Sequence, residues 1–127
     1  MEGELRALIV DDEIDVCYLL AGILRSRNIQ STSVHSIAEA KKVLETEHLA
    51  LIFLDNHLPD GFGVDHIADF KRAKPNAKVA MITAYDTKTD KENAHLQGVD
   101  HFIGKPFSRD DIIQVLDQVL KAHRVEL

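Results

Sequence analysis

Several features that define other kinds of protein are scarce in this chain. It has one cysteine, Cys17, so no disulfide can form within the chain, which is typical of a reducing compartment. Its 15 Lys and Arg against 21 Asp and Glu give a net charge of −6, which argues against direct nucleic-acid binding because the phosphate backbone requires a basic surface. The chain also lacks repeats, low-complexity tracts and linkers rich in Ser, Gly or Pro.

Long hydrophobic runs are absent as well. The longest apolar stretch, Val16 to Leu24, includes a Tyr and a Gly and falls far short of the ~18–20 residues needed to cross a bilayer. Residues 1–4 are acidic where a signal peptide is basic, and no long apolar segment follows them. We therefore expect a cytoplasmic protein with no membrane partner.

The composition is typical of one globular domain. The chain has 127 residues, of which 45% are hydrophobic and 28% charged, and domains usually contain about 100–200 residues. We therefore expect a single domain over residues 1–127. A domain of this size buries roughly two thirds of the surface that its unfolded chain exposes, so it needs no disulfide or structural metal. The chain ends in or just after its last predicted helix, so we expect no output domain to follow.

Short apolar runs typical of strands alternate with longer segments of helical periodicity. The predicted strands are residues 7–10, 30–35, 49–54, 78–83 and 99–103. The predicted helices are residues 14–28, a helix that begins at a capping box formed by Ser36 and Glu39, residues 64–73, residues 88–97, and a helix that begins at Ser108. Continuous apolar strands favour a parallel sheet with helices on both faces, and the more polar 30–35 segment is predicted to lie at an edge.

Polar residues lie at the end of four of the predicted strands or just after it. In chain order these residues are Asp11, Asp12, Asp55, Thr83 and Lys105. We expect them to converge, because ligands of an open parallel sheet bind outside the carboxyl ends of its strands. Three neighbouring carboxylates repel one another, and a hard divalent cation such as Mg²⁺ removes that conflict.

This set of groups is suited to handling a phosphoryl group. Asp55 is the candidate nucleophile, which would become an aspartyl phosphate. Lys105 and the cation would neutralise the phosphoryl oxygens, and Thr83 would bind one of them after transfer. Taken singly, each residue has a structural interpretation, such as a turn or a favourable charge at a helix start. Their joint placement at successive strand ends favours the functional interpretation.

Four motifs together resemble the receiver domain of two-component response regulators. They are Leu8–Glu13, Asp55 with Leu58–Gly63, Ile82–Ala84 and Lys105–Phe107, and the resemblance covers about residues 5–123. It implies an α/β fold, a three-layer (βα)5 sandwich with a parallel five-stranded sheet in the order 2-1-3-4-5. This is the flavodoxin-like fold of the chemotaxis regulator.

The resemblance also implies a role for each residue of the acidic pocket. Asp55 would be the phosphoacceptor. Asp12 and Asp55 would bind Mg²⁺ directly, Asp11 would act largely through water, and the backbone carbonyl of His57 would complete the protein ligands.

A second group of residues would report the phosphorylated state. The resemblance implies that Lys105 contacts the phosphoryl group and that its bond to Pro106 is cis. Thr83 would move toward the phosphoryl oxygens, and Phe102, in place of the switch aromatic, would rotate inward with it. The last strand and the last two helices would form the output surface.

Three positions depart from the common pattern or bear on the lifetime of the phosphorylated state. Asn56 stands where the family more often has an apolar residue. His57 and Tyr85 are bulky, and we hypothesise that they shield the site from the attacking water, although an imidazole can also position that water.

The favoured function is a phosphorylation-controlled switch rather than a turnover enzyme. Its partners would be a sensor histidine kinase or phosphotransfer protein, and a downstream effector or attached output domain. The alternatives are a Mg²⁺-dependent phosphatase or hydrolase with an aspartate nucleophile, and an interaction module that works unphosphorylated. Against the phosphatase, His57 stands where such enzymes have a second acid.

Overall fold

Five parallel strands form the central sheet of the computed structural model, which describes residues 5–84 and 87–125. The strands are β1 (Arg6–Val10), β2 (Gln30–Val34), β3 (Leu51–Leu54), β4 (Lys78–Thr83) and β5 (His101–Gly104). They lie in the order β2-β1-β3-β4-β5, and every neighbouring pair is parallel. The predicted order is confirmed, and the polar strand β2 lies at an edge as predicted.

Over the same residues, five α-helices cover the two faces of the sheet. They are α1 (Ile14–Arg25), α2 (Ile37–Thr46), α3 (Ile67–Ala73), α4 (Lys88–Leu96) and α5 (Arg109–Val125). Alternate residues of a strand point to opposite faces. Thus Ile9 packs in a core with α1 and α5, whereas Leu8 and Val10 pack in a second core with α2, α3 and α4. The predicted three-layer fold is confirmed.

Side-chain caps start helices α2 and α5 at the predicted places. Ser36 Oγ accepts a hydrogen bond from the Glu39 amide at 3.1 Å, while the Glu39 carboxylate accepts one from the His35 amide at 2.8 Å. The Ser108 hydroxyl and the Asp111 carboxylate cap α5 reciprocally. These bonds satisfy amides that have no partner within the helix itself.

Several element boundaries differ from the predicted ones. Helix α1 ends at Arg25 rather than residue 28, because Asn28 adopts a left-handed conformation with φ of 61° and the Ile29 amide bonds back to Leu24. Residues 63–66 form a 3₁₀ turn before α3 begins. Strand β3 begins two residues late, since sheet pairing starts at Leu51, and β5 runs from 101 to 104 rather than from 99 to 103.

A short antiparallel hairpin follows β3 and was not predicted. His57 pairs with Phe62 and Leu58 with Gly61. Because each of its strands has only two residues, neither shows a hydrophobic period.

In the part of the chain that the structure describes, no helix has both the length and the apolar character that a membrane span requires.

Candidate metal and phosphoryl site

Three carboxylates meet at the carboxyl edge of the sheet. Asp11 and Asp12 follow β1, Asp55 follows β3, and ligand oxygens of all three lie within 4.8 Å of one another. Asp11 is 1% exposed and Asp55 5% exposed, whereas Asp12 lies at the surface. The structure thus brings together the three acids that the strand ends led us to expect, two of them buried and one exposed.

Backbone hydrogen bonds fix the positions of the buried acids. The Asp11 amide donates to the carbonyl of Val34 at 3.1 Å, and the Asp55 amide donates to the carbonyl of Val10 at 2.9 Å. Each bond continues the parallel ladder one residue past the end of its strand. The sheet itself therefore holds these two carboxylates close together although 44 residues separate them.

Lys105 supplies positive charge at the same point. Its ammonium lies 2.9 Å from Asp11 Oδ2, 2.8 Å from Glu13 Oε1 and 3.6 Å from Asp55 Oδ2, and the side chain is only 12% exposed. Burial opposes the charge on Lys105. The hydrogen bond to Glu13, with the negative charges of Asp11 and Asp55, outweighs burial and raises the pKa of Lys105.

Burial and mutual repulsion disfavour the simultaneous ionisation of Asp11 and Asp55. Burial and the neighbouring charge of Asp11 raise the pKa of Asp55 from 3.8 to about 6, although Lys105 and the Asn56 amide act in the opposite direction. Burial likewise raises the pKa of Asp11, against the hydrogen bond from the Glu13 amide and the charge of Lys105. This cluster is therefore under electrostatic strain at neutral pH.

One carboxylate oxygen retains the capacity to bind a cation or a water molecule held by it. Asp11 Oδ2 is buried and accepts no hydrogen bond from the described residues, since the Lys105 ammonium beside it acts as a counter-charge rather than as an aligned donor. Carboxylate oxygens are the donors that Mg²⁺ prefers, and Mg²⁺ requires only one or two carboxylates besides water. The donor set and the free acceptor therefore fit a magnesium ion.

Thr83 ends the neighbouring strand β4. It is 1% exposed, and its carbonyl accepts a hydrogen bond from the Lys105 amide at 2.8 Å. The Lys105–Pro106 bond is cis, in agreement with the resemblance. The ends of β4 and β5 are thus tied together beside the acidic pocket.

The candidate switch aromatic lies on the face covered by α4. Phe102 is partly buried against the core of that face and stands in register with Met81 of β4, two residues before Thr83. Lys91 of α4 places its ammonium 5.9 Å from the centre of the Phe102 ring. The position is compatible with the predicted switch role, which stays a prediction.

The candidate shielding residues are only partly covered by the structure. His57 is exposed on the hairpin after Asp55, where its ring meets that of Phe62 edge-on with centres 5.2 Å apart. Tyr85 lies outside the described residues. The shielding role and the use of the His57 carbonyl as a ligand stay predictions.

Sequence reasoning missed two contributors to the site. Glu13, just before α1, binds Lys105 across 92 residues of chain. The only sign of this contact in the sequence was that Glu13 is the third acid in the run 11–13. Asn56 was noted as a departure from the family pattern, but its buried hydrogen bonds could not be inferred from spacing.

Comparison with known proteins places this fold and site in a class. Residues 7–117 match the family described as the response regulator receiver domain. The chain therefore belongs to the response regulator receiver domain family. It is 32% identical over 121 residues to the response regulator protein PilR of Pseudomonas aeruginosa, and this match covers 95% of the chain and 27% of PilR.

Solved structures agree with this membership. A receiver domain protein from Methanospirillum hungatei, 24% identical, has a TM-score of 0.91, with 98% of this chain and 100% of that chain covered, and it supports the fold. A response regulator from Burkholderia pseudomallei, solved with a phosphorylated aspartic acid, a calcium ion and citrate, is 25% identical with a TM-score of 0.84, covering 97% of this chain and 73% of that one. The chain spans between about a quarter and about half of the length of the first curated relatives it matches.

Proposed function

We propose that the chain is a phosphorylation-controlled switch in which Asp55 accepts a phosphoryl group from a phosphohistidine of a sensor histidine kinase or a phosphotransfer protein. The observation that carries this proposal is the convergence of three carboxylates with Lys105 at one sheet edge. A phosphorylated aspartic acid in the Burkholderia relative is compatible with it. The receiver module would comprise about residues 5–123 within a single domain.

The proposed cofactor is Mg²⁺. Asp12 and Asp55 would bind it directly, Asp11 largely through water, and the His57 carbonyl would complete the set. When bound, the ion supplies positive charge that stabilises the oxygens of the transferring phosphoryl group.

The side chains of this chain would perform the remaining steps. Although its pKa is raised to about 6, Asp55 is mostly ionised at pH 7 and can act as nucleophile. A carboxylate oxygen forms the new bond to phosphorus, the phosphorus–nitrogen bond of the donor breaks, and its electron pair returns to the imidazole. Lys105, already 3.6 Å from Asp55 Oδ2, would turn from Glu13 toward the phosphoryl oxygens.

Thr83 and Phe102 would convert this modification into a change of surface. The Thr83 hydroxyl would bind a phosphoryl oxygen, and Phe102 would rotate inward with that movement. Such a switch shifts a two-state equilibrium only by the difference in bonding between the two conformations. The altered face would comprise α4, β5 and α5, and its target would be a downstream effector or an attached output domain.

The surface beside the pocket suits a macromolecular donor. Helix α1 begins immediately after Glu13 and exposes three large apolar side chains: Ile14 at 63%, Tyr18 at 80% and Leu19 at 52%. Exposed apolar residues grouped beside a reactive site favour protein contact. We propose that the phosphodonor protein docks on this exposed surface of α1. We also propose that the reaction takes place in the cytoplasm, where sensor kinases are phosphorylated from ATP.

Uptake of label from a small phosphodonor tests the function. The protein is incubated with radiolabelled acetyl phosphate and Mg²⁺, and we expect one phosphoryl group per chain, with no uptake by Asp55→Asn or in excess EDTA. The exposed Asp65→Asn variant is the matched control and should retain uptake. Persistent labelling of Asp55→Asn would contradict the proposal, and sustained release of phosphate over many turnovers would indicate a hydrolase instead.

A further inference from the structure

We propose that Asn56 is a positioning residue for the cation site, and that it holds the segment Asp55–His57 in place by clamping it to residues 63–64. Asn56 would touch neither the cation nor the phosphoryl group. It would act through the Asp55 carboxylate on one side and the His57 carbonyl on the other. The inference rests on the proposed function, because it concerns the same site.

Three polar groups of Asn56 make hydrogen bonds to neighbouring residues. The Asn56 amide donates to Asp55 Oδ1 at 2.8 Å, and its carbonyl accepts from the Gly63 amide at 2.7 Å. Its side-chain oxygen accepts from the Val64 amide at 2.9 Å, and the residue is only 5% exposed. One buried residue thus orients the phosphoacceptor carboxylate and secures the loop opposite it.

The clamp closes the base of the hairpin that carries His57. The pairs of His57 with Phe62 and of Leu58 with Gly61 complete the hairpin between the two clamped segments. At the turn, the Asp60 carboxylate accepts hydrogen bonds from the amides of Ile37 and Ala38, both at 2.9 Å. The His57 carbonyl therefore belongs to a loop held at both ends, and its direction depends on the clamp at Asn56.

The segment Asp55–His57 and the loop of residues 63–64 pack together with no free space between them. A Cβ atom at position 63 would lie 2.2 Å from the carbonyl oxygen of Asp55 and 3.0 Å from Leu54 Cγ, so only glycine fits there. Because protein interiors transmit displacement rather than absorb it, a shift of the 63–64 loop must move the Asp55 backbone. This close packing lets a hydrogen bond at Val64 position the Asp55 carboxylate, nine residues earlier.

The side-chain amide has a function that an apolar residue lacks. An aliphatic side chain at position 56 would leave the half-buried Val64 amide without its acceptor, which forces that loop to move or to admit water. Groups that orient metal ligands without binding the metal typically contribute 10- to 100-fold to metal affinity. We expect Asn56 to contribute at that level.

The test compares Mg²⁺ affinity in two matched variants. Asn56→Leu fills the buried volume without an acceptor, and Asn93→Leu makes the same change at an exposed position on α4. Calorimetric titration with MgCl₂ follows confirmation by circular dichroism that each variant is folded. We expect Asn56→Leu to bind Mg²⁺ at least tenfold more weakly than wild type, and Asn93→Leu to bind it equally well.

A third variant separates positioning from simple loss of stability. Asn56→Asp retains the acceptor oxygen, so the Val64 amide should keep its protection from hydrogen exchange, whereas in Asn56→Leu that protection should fall at least tenfold. If Asn56→Leu is less stable but binds Mg²⁺ with unchanged affinity, Asn56 is structural only and the inference is wrong. If the wild-type protein binds no Mg²⁺, the proposed function fails, and this inference with it. If Asn56→Leu does not fold, the Asn56→Asp variant decides. Loss of the hydrogen-exchange protection of the Val64 amide in that variant would overturn the inference about Asn56.

Discussion

Replacing Asp55 with asparagine should make the metal-free protein more stable at neutral pH. Burial and the charge of Asp11 raise the pKa of Asp55 in the folded state to about 6 from an ordinary 3.8. The folded state therefore holds the proton more tightly than the unfolded state. The stability that this proton contributes is complete below pH 3.8 and is lost as the pH rises through 6.

The magnitude follows from that shift. Each pKa unit corresponds to about 1.4 kcal/mol, so ionised Asp55 should destabilise the metal-free protein by about 3 kcal/mol at pH 7. The shift already includes the attraction of Lys105, and asparagine cannot ionise. The Asp55→Asn variant should therefore gain about 3 kcal/mol at pH 7, or about 10 °C in Tm for a chain of this length, and almost nothing at pH 4.

Urea denaturation in EDTA at pH 4 and pH 7, followed by circular dichroism, measures this gain. Asp65→Asn, which removes an exposed carboxylate, is the matched control and should change stability little at either pH. Saturating Mg²⁺ should reduce the difference in free energy of unfolding between the variant and wild type. Wild type is stabilised by binding the ion, and the variant largely lacks that binding. A variant no more stable than wild type at pH 7, or equally stabilised at both pH values, would refute the electrostatic reasoning.

Three other experiments test neighbouring features. Lys105→Met should slow phosphoryl uptake about 100-fold, measured with labelled acetyl phosphate, and an unchanged rate would remove Lys105 from the reaction. Gly63→Ala should lower the free energy of unfolding by about 1–3 kcal/mol because its Cβ meets a carbonyl oxygen, whereas Gly22→Ala on α1, where a Cβ meets nothing within 4 Å, should raise it by up to ~1 kcal/mol in the same urea assay. His57→Ala and Tyr85→Ala should accelerate loss of the phosphoryl group, and no acceleration would end the shielding hypothesis.

The sheet and the convergence of its acids follow from local patterns. Strands such as β3 are buried along their whole length and read as unbroken apolar runs. Once the strands are parallel and adjacent, the residues that follow them must meet at one edge. This is why Asp11 and Asp55 could be predicted to approach each other from sequence alone.

Contacts made by irregular segments could not be predicted in this way. The ion pair of Lys105 with Glu13 and the bond of Asn56 to Val64 join loops, and loops have no period that marks their partners. The end of α1 was missed for a related reason. Residues 26–28 have helix-compatible side chains, and the chain leaves the helix through the left-handed conformation of Asn28 and the burial of Ile29.

The electrostatic strain that lowers stability is also what gives the site its proposed chemistry. Among the described residues, four carboxylates, those of residues 11, 12, 13 and 55, face the single ammonium of Lys105. An anionic phosphodonor approaching this pocket would be repelled, since the pocket carries excess negative charge. With all four acids ionised the net charge is 1 − 4 = −3, and a dication would reduce it to −1. One proposed ion would therefore weaken both the repulsion among the acids and the repulsion of the donor. Replacing these acids to gain stability would therefore remove the reactivity, as expected where charges are gathered for function.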